Sequence, residues 1–393
     1  MAMLDKYGDD TRLEMTTPPL SLDDEIKLSK ESYSRIIEDI KIHLEMTETQ
    51  AKVAFEQMND GVDPSLESFP KLPMFDEDLI PTIGNEDFKQ RMMDILDAFI
   101  TWIKRIGKWL NDVLDAQSIK LFWLREQVKQ LKFDLLQKPQ KITKDFVFKG
   151  DVAYISIRYE PVKSISDITA GLSSLKDHLT VYYDYVKTVS ANINTLLASV
   201  TGNSHYSSDL TQLLEDMSPL KLKSKLAFTE AKDVNYASES KQLLGNLRIL
   251  IHQPKNVSRL SDINAIGISL SRARTSSGTV PNSVTFKRSD RQTVSRCIAQ
   301  MENVIDTLLS AFKGDTRKKY DMAIKDLNSE IQKLKSDIRR TGEFEGGELS
   351  QKLAVLRTVV EWVTKPYQSL ATNSIRITRT AYFVCRQNQS ASN

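Results

Sequence analysis

Residues 86–110 read EDFKQRMMDILDAFITWIKRIGKWL. Phe88, Met92, Ile95, Leu96, Phe99, Ile103, Ile106 and Leu110 recur every three or four positions, while Lys89, Lys104, Arg105 and Lys108 sit mostly off that stripe. This is the period of an amphipathic α-helix with one apolar face and one solvated face. Trp102 and Trp109 stand seven residues apart, so they share a face. A second helical stretch, about 118–136, carries Leu121, Phe122, Leu124, Val128, Leu131 and Leu135, and Pro139 ends it.

On the N-terminal side, residues 22–58 read as one or two amphipathic helices, with Ile26, Tyr33, Ile36, Ile37, Ile40 and Leu44 at helical spacing. Ser21 followed by Asp23, Asp24 and Glu25 suits a helix start, placing a capping hydroxyl and then carboxylates at the positive end of the dipole. Between the two helical regions, Asn59-Asp60-Gly61 and then Pro64, Pro70, Pro73 and Pro81 mark a linker, because proline removes donors and fixes the backbone. On the C-terminal side the period changes. Phe146, Phe148, Val152, Tyr154, Ile155, Ile157 and Tyr159 around Lys149-Gly150-Asp151 predict a β-hairpin over 144–160. Residues 164–200 return to helix. Residues 201–240 read as a polar connection with a short helix at 208–217. Alternation at Leu247, Ile249 and Ile251, at Ile266, Ile268 and Leu270, and at Val284 and Phe286 predicts short strands over 246–289. The last hundred residues predict three helices, with Gly342, Gly346 and Gly347 between the second and third and a kink at Pro366.

The expected fold is therefore α+β, predominantly α-helical, with helical N- and C-terminal bundles and a small antiparallel sheet in the middle. The segments are an acidic helical N-terminus at 1–60 (a candidate propeptide), a Pro-rich linker at 61–84, an amphipathic Trp/Lys region at 85–140, a mixed middle domain at 141–290 and a C-terminal bundle at 291–393.

The chain has 393 residues, 40% hydrophobic and 27% charged, which is an ordinary globular balance. Two cysteines, Cys297 and Cys385, have no metal-ligand spacing, so a reducing compartment is the default. Residues 1–20 hold Asp5, Asp9, Asp10 and Glu14 and no apolar core, so no signal peptide is expected. No run of about 18 apolar residues predicts a membrane-spanning helix. His43, His178, His205 and His252 are scattered and form no metal cluster. Phosphate-binding, dinucleotide and G-x-S-x-G fingerprints are lacking, so no cofactor, metal site or catalytic centre is expected and the chain reads as a non-enzyme. Net charge is +2 but divided: residues 1–67 hold 7 basic and 16 acidic groups, net −9, leaving 47 basic and 36 acidic groups, net +11, for the rest. Such asymmetry hints at a separable acidic segment or a nucleic-acid environment.

Two stretches are candidates for contact with nucleic acid or membrane. One is Trp102, Lys104, Arg105, Lys108 and Trp109, where aromatic and basic residues interleave as in helices that lie on membranes. The bland reading of the same helix is packing on its own domain with the lysines in water. The other is Arg272, Arg274, Lys287 and Arg288, a basic stretch that could meet phosphates without reading sequence, or simply a solvated strand edge. A helical membrane-active or pore-forming protein is the alternative function that residues 99–124 and the helical length suggest.

Three features occur together. An acidic helical N-terminus leads into a linker with Ser65-Leu66-Glu67-Ser68-Phe69. A Trp/Lys-rich helix follows at 100–110. In mid-chain stands Gln242-Leu243-Leu244-Gly245-Asn246-Leu247-Arg248. The arrangement resembles the internal head (prohead core or inner-body) proteins of large tailed bacteriophages, in which a Leu-Pro-Gly-Asn stretch precedes a strand; Leu244 replaces that proline here. The resemblance implies a structural protein of the capsid interior, present in host cytoplasm during assembly, associated with packaged DNA and other interior proteins, and in some cases ejected with the DNA. It also implies a maturation protease cutting after glutamate in a small-x-Glu context. Ser65-Leu66-Glu67 fits, with Ser68 as the new N-terminus. Ser29-Lys30-Glu31, Ala54-Phe55-Glu56 and Ala237-Ser238-Glu239 fit as well, but only Glu67 lies in the Pro-rich linker.

Overall fold

A computed structural model of the chain describes residues 30–59, 85–137, 145–201, 208–232, 234–254, 262, 265–272, 280–341 and 346–390. Two short helices, α1 (Lys30–Leu44) and α2 (Glu48–Asn59), precede α3 (Asn85–Gln137). The two helical stretches expected over 86–136 are one helix of 53 residues, about 80 Å long at 1.5 Å per residue. Residues 111–117 contain neither Pro nor Gly, and Val113, Leu114 and Ala116 carry the apolar stripe across them into the core.

The remaining helices are α4 (Ile165–Thr201), α5 (Ser208–Met217), the single turn α6 (Leu222–Lys225), α7 (Arg291–Lys313), α8 (Asp315–Thr341) and α9 (Gly346–Ser390). Helices α3, α4, α7, α8 and α9 pack on one another, and α1 lies on α3. One hydrophobic cluster runs from Ile36 in α1 to Cys385 in α9.

The strands form three antiparallel sheets among the described residues. β1 (Phe146–Lys149) pairs with β8 (Ser283–Phe286), β2 (Ser156–Ile157) pairs with β3 (Glu160–Pro161), and β4 (Phe228–Glu230), β5 (Ala237–Ser240), β6 (Leu247–His252) and β7 (Gly267–Arg272) make a meander in that order. The expected hairpin across Gly150 is not formed. Residues after β1 enter a 3-10 turn at Val152–Ile155, and β1 finds its partner more than 130 positions away, Phe146 facing Phe286. The hairpin that does form turns at Arg158-Tyr159, both at positive φ, the geometry of a type I′ turn. Neither residue favours that conformation. Asn246 Oδ1 accepts the Tyr159 N–H at 2.6 Å and holds the turn from a distant segment. Strands β4 and β5 fall in the stretch read as irregular, while the short helix at 208–217 is present. The turn at 244–246 lies against Gly171 of α4, where a Cβ would stand 2.5 Å from Leu244 Cγ.

Proline inside a helix leaves the carbonyl four residues earlier without its amide donor. Pro366 stands inside α9, and the affected carbonyl is that of Trp362. The buried hydroxyl of Tyr182, on α4, donates to Val363 O at 3.2 Å and lies 3.5 Å from Trp362 O. Two neighbouring phenols do the same at helix ends, where the last carbonyls also lack partners: Tyr185 donates to Met217 O, the last residue of α5, at 3.0 Å, and Tyr367 to Ala311 O in the last turn of α7 at 3.0 Å. Replacing Tyr182 with Phe should therefore cost about 1–2 kcal/mol, read by thermal melting. The same change should cost less in a Pro366→Ala background, where a backbone amide takes the Trp362 carbonyl. Equal losses in both backgrounds would contradict this account.

Burial pushes the phenols of Tyr182, Tyr183, Tyr185, Tyr320 and Tyr367 above their usual value. In the unfolded chain these groups ionise near pH 10. Unfolding there releases protons, so rising pH favours the unfolded chain. The melting temperature should fall steeply as pH passes 10. Tyr183→Phe should make that fall shallower without loss at pH 7, because the buried Tyr183 hydroxyl has no hydrogen-bond partner among the described residues.

Candidate nucleic-acid interface

The amphipathic period of α3 sorts its candidate residues by side. Trp102 is 1% exposed and Trp109 5% exposed, whereas Lys104, Arg105 and Lys108 are exposed. The two indoles are thus core residues and do not contact membrane or nucleic acid in this fold; any contact from this stretch falls to the three cations. Gly107 between them lets α8 approach, with Ile324 Cγ2 3.1 Å from where a Cβ would sit. Lys335 pairs with Asp97 at one end of the α3–α8 contact, and Arg317 donates to Asp115 Oδ1 at 2.7 Å and Asn111 Oδ1 at 3.1 Å at the other. These pairs set an antiparallel register that brings the exposed Lys325 across from Gly107. Lys325 thus stands at the level of the three α3 cations, a placement that only the helix register reveals.

The second candidate group is built at the far end of α3. β8 pairs with β1, and Phe286 stacks on Phe146 with ring centroids 5.6 Å apart, which delivers the chain to exposed Lys287 and half-buried Arg288. The next residues are pinned. The Ser289 amide donates to Asn388 Oδ1 at 3.0 Å, and the Asn388 side-chain amide donates back to Ser289 O at 3.2 Å. Asp290 caps α7 by accepting the Thr293 amide at 2.7 Å, a bond that lowers its carboxyl pKa, and Arg291 donates to Leu136 O at 2.6 Å. Exposed Phe133 and Leu136 of α3 lie at this same end. Arg272 closes β7 opposite Leu247, and Arg274 lies outside the described residues. Along α3, the Lys104–Lys108 and Lys287 groups are about 40 Å apart at 1.5 Å per residue, so they form two patches rather than one cleft.

The candidate cut site Ser65-Leu66-Glu67-Ser68 also lies outside the described residues. Of the other small-x-Glu tripeptides, Ala54-Phe55-Glu56 is inside α2 with Phe55 buried, Ala237-Ser238-Glu239 is in β5 with Glu239 paired to Arg248, and Glu31 sits in the first turn of α1. A protease needs an extended segment free to enter its cleft, so the helix disfavours the first and pairing to β4 and β6 on both sides disfavours the second.

The segment before the linker is packed. Ile36, Ile37 and Ile40 of α1 and Ala51 and Phe55 of α2 are buried, and Tyr33 meets Phe55 edge-to-face at 5.7 Å. Arg35 binds Glu126, itself 2% exposed, at 3.0 Å, and Asp39 pairs with Arg125. His43 stacks on Phe122 at 5.2 Å, and Lys313 of α7 donates to the His43 carbonyl. Burial pushes the Lys313 ammonium down to about 8 and lowers the His43 pKa.

Among the described residues no group of His, Cys, Asp and Glu could hold a metal ion, and no helix is long and apolar enough to cross a membrane. With Trp102 and Trp109 in the core and no membrane-spanning helix among the described residues, the membrane-active alternative is not favoured.

Residues 36–387 match the phiKZ-like phage internal head proteins, a span that includes most of α1 and the bundle up to the last turn of α9. The chain belongs to this family. Internal head proteins reside inside the phage head, and the family is structural. No curated protein and no solved structure matches the chain.

As an internal head protein built on α3, the chain should lose about 3–5 kcal/mol of stability on Trp109→Ala, the cost of emptying a buried aromatic site. Denaturant unfolding measures it. An unchanged midpoint together with abolished vesicle binding would restore the membrane reading.

Proposed function

We propose that this chain is a non-enzymatic structural protein that lies among packaged DNA inside the phage head, after a maturation protease cuts behind Glu67, and that leaves with the DNA on ejection. Family membership over residues 36–387 is the observation that carries this reading. Charge supports it: the residues after Glu67 hold 47 basic and 36 acidic groups. Lys104, Arg105, Lys108 and Lys287 are exposed in two separate patches. Separate patches suit contacts to phosphates along a duplex, where release of counterions supplies affinity without sequence preference. Other proteins of the capsid interior are the remaining partners in this reading.

Mass spectrometry of the protein taken from particles tests the cut, with a new N-terminus at Ser68 expected and an intact N-terminus counting against it. Binding of the full chain to duplex DNA should weaken as salt rises and show no preference among sequences. Joint replacement of Lys104, Arg105 and Lys108 by Glu should flatten the salt dependence, by about one unit of slope for each phosphate no longer neutralised. A variant that binds like the parent at every salt concentration would remove this patch from the interface.

A further inference from the structure

We infer that α1 and α2 form a docked unit that stays on the body after the connection at 60–84 is severed, so that cutting the chain and shedding its acidic segment are separate events. Severing a peptide bond frees a segment only when that bond is what holds it. Here the holding contacts lie elsewhere. Ile36 and Ile40 are fully buried, Phe55 is buried beneath Tyr33, and the α1 face lies on Phe122, Arg125 and Glu126 of α3 and Lys313 of α7. Departure of α1 would leave the Glu126 carboxylate without Arg35 and bare the apolar ring of Phe122.

The charge distribution agrees. Residues 30–59, the docked helices, hold 4 basic and 6 acidic groups, net −2, so −7 of the −9 before the cut lies on residues 1–29 and 60–67. The docked unit is close to neutral and carries most of the acidic charge on the chain to either side of it. While it stays in place, the severed particle keeps the net +2 of the intact chain rather than the +11 of the body alone. Contact with packaged phosphates then competes with the acidic segment until the unit is displaced.

This inference takes its setting from the proposed cut behind Glu67, but its test does not need the phage protease. A site-specific protease recognition sequence is placed after Glu67 in the full chain, and cutting is followed to completion on a denaturing gel. The two pieces should then co-elute at the mass of the intact chain in size-exclusion chromatography at micromolar protein and physiological salt. In the uncut chain, Ile40→Ala should leave the elution unchanged, since tethering supplies a high effective concentration. After cutting, the same variant should hold its N-terminal piece at least roughly 30-fold more weakly, as expected for truncating a buried isoleucine. A cut parent chain whose body elutes alone, or precipitates without its N-terminal piece, overturns the inference. So does an Ile40→Ala variant that keeps the piece as firmly as the parent. An uncut Glu67 in particles would count against the proposed processing and leave the docking result standing.

Discussion

The Tyr182 hydroxyl, bonded to the carbonyls one turn before Pro366, ties α4 to α9 at the centre of the bundle. α9 is 45 residues long and carries a proline in its middle. A buried carbonyl without a donor would cost about one to three kcal/mol at the centre of the bundle. α4 supplies the donor, and it can do so only if it lies against α9 at this level. Tyr185 and Tyr367 repeat the arrangement at the ends of α5 and α7. Tyr183 and Tyr367 stand 4.9 Å apart and Phe312 5.9 Å from Tyr367, so the same rings that satisfy the helix ends also fill the space between the helices. The sheet is attached at the same level: Trp362 Nε1 donates to Ile266 O at 2.8 Å, beside the start of β7.

Electrostatics in this protein work at two ranges. At contact range, ion pairs set registers: Lys335 with Asp97 and Arg317 with Asp115 align α8 on α3, and Arg35 with Glu126 and Arg125 with Asp39 seat α1. Partly exposed pairs of this kind add little stability, but they discriminate between alternative alignments of otherwise similar apolar faces. At long range the chain divides into an acidic N-terminal segment, net −9 over residues 1–67, and a basic remainder, net +11, a division whose field reaches beyond single contacts. The two ranges meet at α1, whose carboxylates are partly used in docking and so are only partly available to repel phosphate. For an internal head protein this makes retention or loss of α1 a determinant of surface charge.

The order of amino acids alone settles the helical class and the two ends of the bundle, because a 3.6-residue apolar stripe packs one face inward; that Trp102 and Trp109 belong to the buried face rather than to a contact surface is decided by the packing. The sequence also points to the family, through residues 100–110, the 242–248 turn and the linker, and it lacks the usual fingerprints of catalysis. Other features come from long-range packing. Whether β1 folds back across Gly150 or travels to β8 depends on a partner more than 130 residues away, and local turn chemistry pointed to the wrong answer. The turn at Arg158-Tyr159 was illegible because its positive φ values are held by Asn246 rather than by glycine. Lys325 comes level with Lys104, Arg105 and Lys108 only through the α3–α8 register, and the distance that keeps Lys287 apart from them is the length of an unbroken α3. The acidic count of residues 1–67 was plain in the sequence. That part of this segment is bound into the core was not, because an apolar stripe on a short helix states that a face will be covered without stating by what.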